Sequence, residues 1–84
     1  MKYTILYRAS VQREMRRLDA GMARRVDVAI LALADNPRPP GAQKLSGQER
    51  YRIRQGDYRI VFSIQDQERA VWIIKVGHRR EICR

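Results

Sequence analysis

The feature that most constrains the fold is a change of hydrophobic period halfway along the chain. Between residues 10 and 34 apolar side chains recur every three or four positions, which is the spacing of one helix face. From residue 49 onward they recur at every second position, as in strands with one buried face. One such change, without repeats or a long linker, predicts helices and sheet in separate layers of one domain, residues 1–84.

The first half predicts a short strand followed by two helices. Tyr3, Ile5 and Tyr7 alternate with more polar residues, Ser10 is placed to cap the first helix, and Gly21 is expected to interrupt it. The second helix carries one apolar stripe, made of Met22, Val26, Ile30, Leu33 and Ala34. The run Asn36–Gly41 contains three prolines and ends the helical region.

The second half predicts three more strands. They cover residues 49–54, 58–65 and 71–76, with a turn at Gly56-Asp57 and a hairpin loop over 66–69. The order is β-α-α-β-β-β, so we expect an α+β fold with a two-helix hairpin on one face of a four-stranded, mostly antiparallel sheet. The other sheet face is then free for function.

Charge narrows the choice of partner. Lys and Arg number 18 against nine Asp and Glu, which gives a net charge of +9, and fifteen of the cations are arginines. Such a surface attracts nucleic acid, an anionic membrane or an acidic protein. Arginine binds phosphate bidentately and stacks on bases, which favours RNA, although GC-rich codon usage also raises arginine content.

The sequence also indicates the cellular compartment of the protein. The only cysteine is Cys83, so no disulfide can form within the chain, and a reducing compartment is expected. The first residues lack the apolar stretch of a secretory signal, and no apolar run reaches the ~18 residues of a membrane span. We therefore expect a cytoplasmic protein without a membrane partner.

Strand parity predicts a basic patch. Arg50, Arg52 and Arg54 project from one face of their strand, and Arg59 points away from the core in the next strand. Because the last strand ends close by, one concave patch is expected, lined by Arg52, Arg54, Arg59, Lys75, His78 and Arg79. The alternative is a merely solvated surface, since the helices carry arginines as well.

The residue types limit the chemistry of this patch. Arginine can stabilise phosphorane-like charge but stays protonated and is a poor base. His78 is the single histidine and the candidate acid or base. The sequence has no metal-ligand spacing, catalytic triad pattern or phosphate-binding glycine loop, so we expect catalysis by positioning, without metal or cofactor.

Three segments, Tyr51–Arg54, Gly56–Phe62 and Lys75–Glu81, resemble the RelE branch of the RelE/ParE toxin superfamily. The similarity covers essentially the whole chain, including Lys44–Gly47 before the sheet. It implies a toxin of a type II toxin–antitoxin module that cuts mRNA in the A site of the 70S ribosome. The implied reaction is metal-independent attack by the 2′-OH, leaving a cyclic phosphate and inhibiting translation.

The resemblance also implies residue roles. Arg52 and Arg54 take the positions of basic residues that bind and activate the RNA backbone. Arg59 takes the position of the arginine that stabilises transition-state charge, and Arg79 that of a second arginine for the phosphate and leaving group. Further RNA-binding candidates are Arg50, Lys44, Lys75, Arg80 and Arg84.

The sequence departs from the family pattern in two ways. Well-studied members have lysines in place of Arg52 and Arg54, and many relatives carry a base-orienting tyrosine where this chain has Cys83. Cys83 cannot stack on a base, so cleavage is expected to suffer more than RNA binding. A catalytically weakened toxin that only binds RNA or antitoxin is therefore one alternative.

A ParE-like DNA gyrase poison is the other alternative. Such chains generally lack the arginines of the sheet and have a longer helical hairpin. The resemblance also implies an acidic RelB-like antitoxin, which contacts DNA on behalf of the complex. We expect that partner to be partly disordered and to fold on the basic surface as a helix beside the helix pair or as an added edge strand.

Overall fold

The computed structural model describes residues 2–45 and 49–81. Its elements, in chain order, are β1 (Thr4–Tyr7), α1 (Ala9–Arg16), α2 (Ala20–Ala32), β2 (Gln43–Lys44), β3 (Arg50–Gln55), β4 (Tyr58–Gln65) and β5 (Ala70–His78). The α+β fold predicted from the sequence is confirmed. None of the helices in the described ranges has the length and hydropathy to cross a membrane.

Within the described ranges the sheet has five strands in the order β1-β5-β4-β3-β2, where four were predicted. The additional strand is β2, whose two residues pair antiparallel with Arg52 and Tyr51 of β3. Two residues are too few to produce a period in the sequence, which is why β2 was missed. The β3–β4–β5 meander is antiparallel, and β1 runs parallel to β5.

The helix boundaries differ from the predicted ones. Ser10 lies inside α1, because Arg8 occupies the N-cap position. Gly21 lies inside α2 and does not interrupt the helical region. The break comes earlier, at Asp19, whose carboxylate accepts a hydrogen bond of 2.8 Å from the Met22 N–H and so begins α2.

The core lies between the helix pair and one face of the sheet. Val26, Ile30 and Leu33 of the predicted stripe are fully buried, as are Phe62 and Ile73 of the sheet. Burying side chains of this size stabilises a fold by about 1.5–3 kcal/mol each. This packing fixes which face of every strand points inward, and therefore which side chains remain on the other face.

Candidate functional site

Four arginines meet on the sheet face opposite the helices. Tyr51 and Ile53 of β3 pair with Phe62 and Ile60 of β4 and pack inward. The intervening side chains of β3 must then point outward. Arg54 is the direct cross-strand partner of Arg59, and the strands hold these two like charges side by side.

Arg79 joins them through a contact between two turns. Its backbone N–H donates to the Asp57 carbonyl at 2.8 Å, which ties the end of β5 to the β3–β4 turn. That turn contains Gly56 with φ of +61°, a left-handed conformation that favours glycine. The resulting arginine quartet consists of Arg52, Arg54, Arg59 and Arg79.

The electrostatics of the quartet centre on Arg59. Desolvation of its half-buried guanidinium lowers its pKa, and three neighbouring charges lower it further: Arg52, Arg54 and Arg79. Its Nε atom is buried without a hydrogen-bond partner among the described residues. Like charges directly opposite in a sheet are destabilising, and an unpaired buried donor adds to that cost. An anion bound here would relieve both.

The arrangement suits phosphate. Guanidinium groups donate in a planar fork to phosphate oxygens, and they stay protonated even when their pKa is lowered. Arg52 also donates to the Gln43 side chain of β2, which fixes its position at the edge of the quartet. The quartet can therefore bind an anion and stabilise negative charge, but it offers no general base.

The predicted single patch needs correcting. His78 faces the helix side of the sheet, whereas Lys75 pairs with Val61 of the open face and its side chain turns over the edge of β5 toward α1. His78 pairs with Tyr58, which is on the same face of β4 as the buried Ile60 and Phe62, and the two rings meet edge to face at 5.5 Å between centroids. Lys75 follows a β-bulge and forms an ion pair of 3.6 Å with Glu14 of α1. Both residues border a cleft between α1 and β5.

The end of β1 explains this cleft. β1 covers β5 only as far as Ile73, so the edge of β5 beyond that point faces α1. There Glu14 accepts the Val76 N–H at 2.8 Å, in place of a neighbouring strand. His78 Nδ1 accepts the Arg80 N–H at 3.2 Å, so Nε2 is the nitrogen left for other partners.

The remaining predicted RNA-binding residues are dispersed. Arg50 lies on the open sheet face, two residues before Arg52 in β3. Lys44 of β2 forms an ion pair of 3.4 Å with Glu49. Arg80 is exposed after β5, whereas Cys83 and Arg84 lie outside the described residues, as does the Ser46-Gly47 part of the segment before the sheet.

Two residues of the open face were not identified from the sequence. Trp72 and Arg8 border a shallow groove of about 600 Å³ on this face, together with Arg50. Trp72 was included in the strand predicted over residues 71–76. The signal that would have placed it on the open face is its parity, which is opposite to that of Val71 and Ile73. Among the described residues no group of three or more His, Cys, Asp or Glu could hold a metal ion.

A family model described as the ParE toxin of the type II toxin–antitoxin system parDE matches residues 3–83. The sequence has no significant match among the curated proteins.

Three solved structures illustrate the fold similarity. The archaeal RelE–RelB complex from Pyrococcus horikoshii matches at 26% identity with a TM-score of 0.85, covering 98% of this chain and 100% of that one. The toxin–antitoxin complex RelBE2 from Mycobacterium tuberculosis matches at 22% identity and 0.83, covering 93% and 92%. The YoeB/ParE toxin from Agrobacterium tumefaciens matches at 17% identity and 0.77, covering 89% and 96%. With its family match over nearly the whole length, the chain belongs to the ParE toxin family of type II toxin–antitoxin systems, within the RelE/ParE superfamily.

Proposed function

We propose that this toxin is a ribosome-dependent mRNA endonuclease that cuts mRNA in the A site of the 70S ribosome. The observation that carries the proposal is the arginine quartet with Arg59 at its centre. Four cations held together with no partner anion among the described residues match the charge that develops on a phosphate under attack. A toxin that only contacts a protein surface has less need of this arrangement.

The proposed reaction is attack by a 2′-OH on the adjacent phosphorus. A bond forms from the 2′ oxygen to phosphorus while the bond to the 5′ oxygen breaks, leaving a 2′,3′-cyclic phosphate and a 5′-OH. One proton leaves the 2′-OH and one reaches the 5′ oxygen. No metal or cofactor takes part in this scheme.

The quartet divides this work among its members. Arg52 and Arg54 bind the backbone of the RNA along β3, and Arg59 stabilises the charge of the transition state. Arg79, on the turn after β5, binds the phosphate and the departing oxygen. Because all four stay protonated, the proton transfers fall to another group.

His78 is the proposed acid or base. It follows Gly77, the cross-strand partner of Arg59, so it stands at the border between the quartet and the cleft beside α1. Nε2 is its available nitrogen, since Nδ1 accepts the Arg80 N–H. The ring faces the α1 side of the sheet, so in this role the RNA phosphate bound to Arg59 must reach Nε2 around the end of β5.

The proposed partner is an acidic antitoxin of the RelB kind, in the cytoplasm that also contains the ribosomes. A net charge of +9 favours such a partner, and two of the compared structures are toxin complexes with antitoxins. Contact with DNA would then be made through the antitoxin.

A second candidate is a ParE-like gyrase poison. The match to the ParE toxin family over residues 3–83 favours it. The arginine quartet argues against a gyrase poison. The short helical hairpin, with 8 residues in α1 and 13 in α2, also argues against it.

The test is induction of the toxin in cells, followed by mapping of mRNA ends on translating ribosomes. We expect growth arrest with cuts in the A-site codon. Arg59→Ala should lower the cleavage rate by about 10²-fold or more, which is typical of losing one group that stabilises transition-state charge. Arg24→Ala removes the same charge from the exposed face of α2 and is the matched control, with cleavage unchanged.

Other outcomes separate the candidates. Arrest with inhibited DNA supercoiling and intact mRNA would replace the nuclease with the gyrase poison. Absence of both arrest and cutting would identify a weakened toxin, in keeping with Cys83 at the tyrosine position. If cleavage occurs, an unchanged rate for His78→Ala between pH 6 and 8 would remove His78 from the proton transfers.

A further inference from the structure

The open sheet face has a second end, centred on the only tryptophan of the sequence. Trp72 is 38% exposed, although its strand neighbours Val71 and Ile73 are fully buried. Its cross-strand partners are Ser63 of β4 and Leu6 of β1, so it stands inside the sheet and not at an edge. A large aromatic ring is thus presented on the face that the helices leave open.

The ring borders the shallow groove of about 600 Å³ on this face. Two cations, Arg8 and Arg50, line the same groove. Its acidic member, Glu49, is engaged by Lys44 at 3.4 Å, so the net character of the groove is basic. Polar side chains beside the ring, on Ser63 and Gln65, could bond to the edge of a base.

The groove is continuous with the arginine quartet. Arg50, Arg52 and Arg54 follow one another on the same face of β3, from the row of Trp72 to the row of Arg59. The two rows are four residues apart along β4, or about 13 Å at the usual rise of a strand. Stacked bases along one strand repeat at about 3.4 Å, so this distance spans a few nucleotides.

We propose that Trp72 is a stacking platform for one unpaired base of single-stranded RNA, a few nucleotides from the phosphate held by the quartet. Arg8 and Arg50 bind the phosphates on either side of that base. An exposed aromatic ring within a basic track is how proteins hold single strands without reading a fixed sequence. The proposal rests on RNA being the substrate of the quartet, and it gives that substrate a second point of attachment.

The test uses the emission of the wild-type protein, which comes from Trp72 as the only tryptophan. The probes are a short single-stranded RNA with 2′-O-methyl groups, which cannot be cut, and an abasic oligonucleotide of the same length, both at low ionic strength. We expect the base-bearing probe to quench the emission and the abasic probe to leave it nearly unchanged. Equal quenching by both, or quenching by neither, would overturn the proposal.

Variants make the same comparison by anisotropy of labelled probes. Trp72→Leu should weaken binding of the base-bearing RNA by about tenfold, in the range measured for loss of one base stack, without changing affinity for the abasic probe. Trp72→Phe keeps a ring and should retain most of the affinity, which guards against misfolding. Tyr7→Leu removes another exposed ring, beside α1, and is the matched control with no change.

Two combinations of results separate the Trp72 platform from the nuclease. If the wild-type toxin cuts no mRNA but the base-dependent quenching and the Trp72→Leu effect are observed, the platform stands as an RNA-binding site. If mRNA is cut at the normal rate by Trp72→Leu and its affinity for both probes is unchanged, the platform is wrong and the nuclease stands.

Discussion

Arg38 and Arg59 are both arginines, but they lie in regions with different surroundings. Arg38, in the loop after α2, donates to both carboxylate oxygens of Asp66 at 3.3 and 3.0 Å and to the Tyr51 hydroxyl at 3.3 Å. Its guanidinium also lies 5.5 Å from the centre of the Tyr51 ring. Arg59 has a buried Nε without a partner among the described residues and another arginine directly opposite.

The pKa shifts of the two side chains run in opposite directions. The hydrogen bond to Asp66 raises the pKa of Arg38, whereas desolvation and neighbouring arginines lower the pKa of Arg59. Around Arg38 the fold supplies the counter-charge itself, so the contact serves stability. Around Arg59 the residues that the structure describes supply no counter-charge, which is expected where a ligand supplies it.

Asp66 belongs to a polar cluster with Arg38, Tyr51 and Tyr3. The Tyr3 hydroxyl donates to it at 2.8 Å, in addition to the fork from Arg38. These two hydrogen bonds lower the pKa of Asp66, with that from Arg38 the larger. The cluster thereby joins the start of β1, the loop after α2 and the β4–β5 hairpin.

The largest effect on stability is expected at Arg38. Arg38→Ala removes the fork to Asp66 and the contact with Tyr51, so the melting temperature should fall by about 5 °C, as expected for a domain of this size. Cleavage should not change, because the cluster lies away from the quartet. Thermal melts followed by circular dichroism measure the first effect, and Arg24→Ala is the control that should melt like wild type.

A smaller effect of opposite sign is expected inside the quartet. Arg54→Glu converts the pair opposite Arg59 from repulsive to attractive, which should raise the melting temperature by about 3 °C while cleavage is lost. Arg50→Glu changes the same charge opposite Ser63 and should give no comparable gain. A lower melting temperature for Arg54→Glu would show that the quartet is not a source of strain.

The smallest effect concerns acid pH. Because the folded pKa of Asp66 is lowered from its ordinary value of 3.8, its contribution to stability is present above that pH and disappears as pH falls through the folded pKa. The difference in melting temperature between wild type and Asp66→Asn, of about 2 °C at pH 6, should therefore shrink as pH falls below 3.8. A difference that is constant from pH 6 to 3 would contradict this account.

Much of this molecule was predictable because it depends on local period. Alternation placed β3 and β4 within one or two residues and put Arg52, Arg54 and Arg59 on one face. The stripe of α2 predicted Val26, Ile30 and Leu33 as core residues. In each case a side chain's direction follows from its neighbours in the sequence and from one buried face.

What was missed depends on neighbours that are distant in the sequence. Lys75 is held away from the quartet by its ion pair with Glu14, a residue 61 positions earlier in the sequence. Glu14 reaches β5 because β1 pairs with β5 only as far as Ile73. The last strand was predicted to end at residue 76, but β5 extends to His78 and turns it toward α1. The Asp19 cap was overlooked in favour of Ser10 and Gly21, since three residue types all favour helix ends.

The sequence by itself determined the segregation of helices and sheet, the open face and the row of arginines along it, because those follow from residue period and charge. Only the tertiary structure decided which of the described cations are neutralised by a carboxylate and which are placed beside another cation. Arg38 finds Asp66 and Lys75 finds Glu14 across the fold, while Arg54 finds Arg59. Pairing of charges depends on distances of a few ångströms between strands and loops. Those distances are set only when the core packs and fixes the register of the strands, so they cannot be read from the sequence.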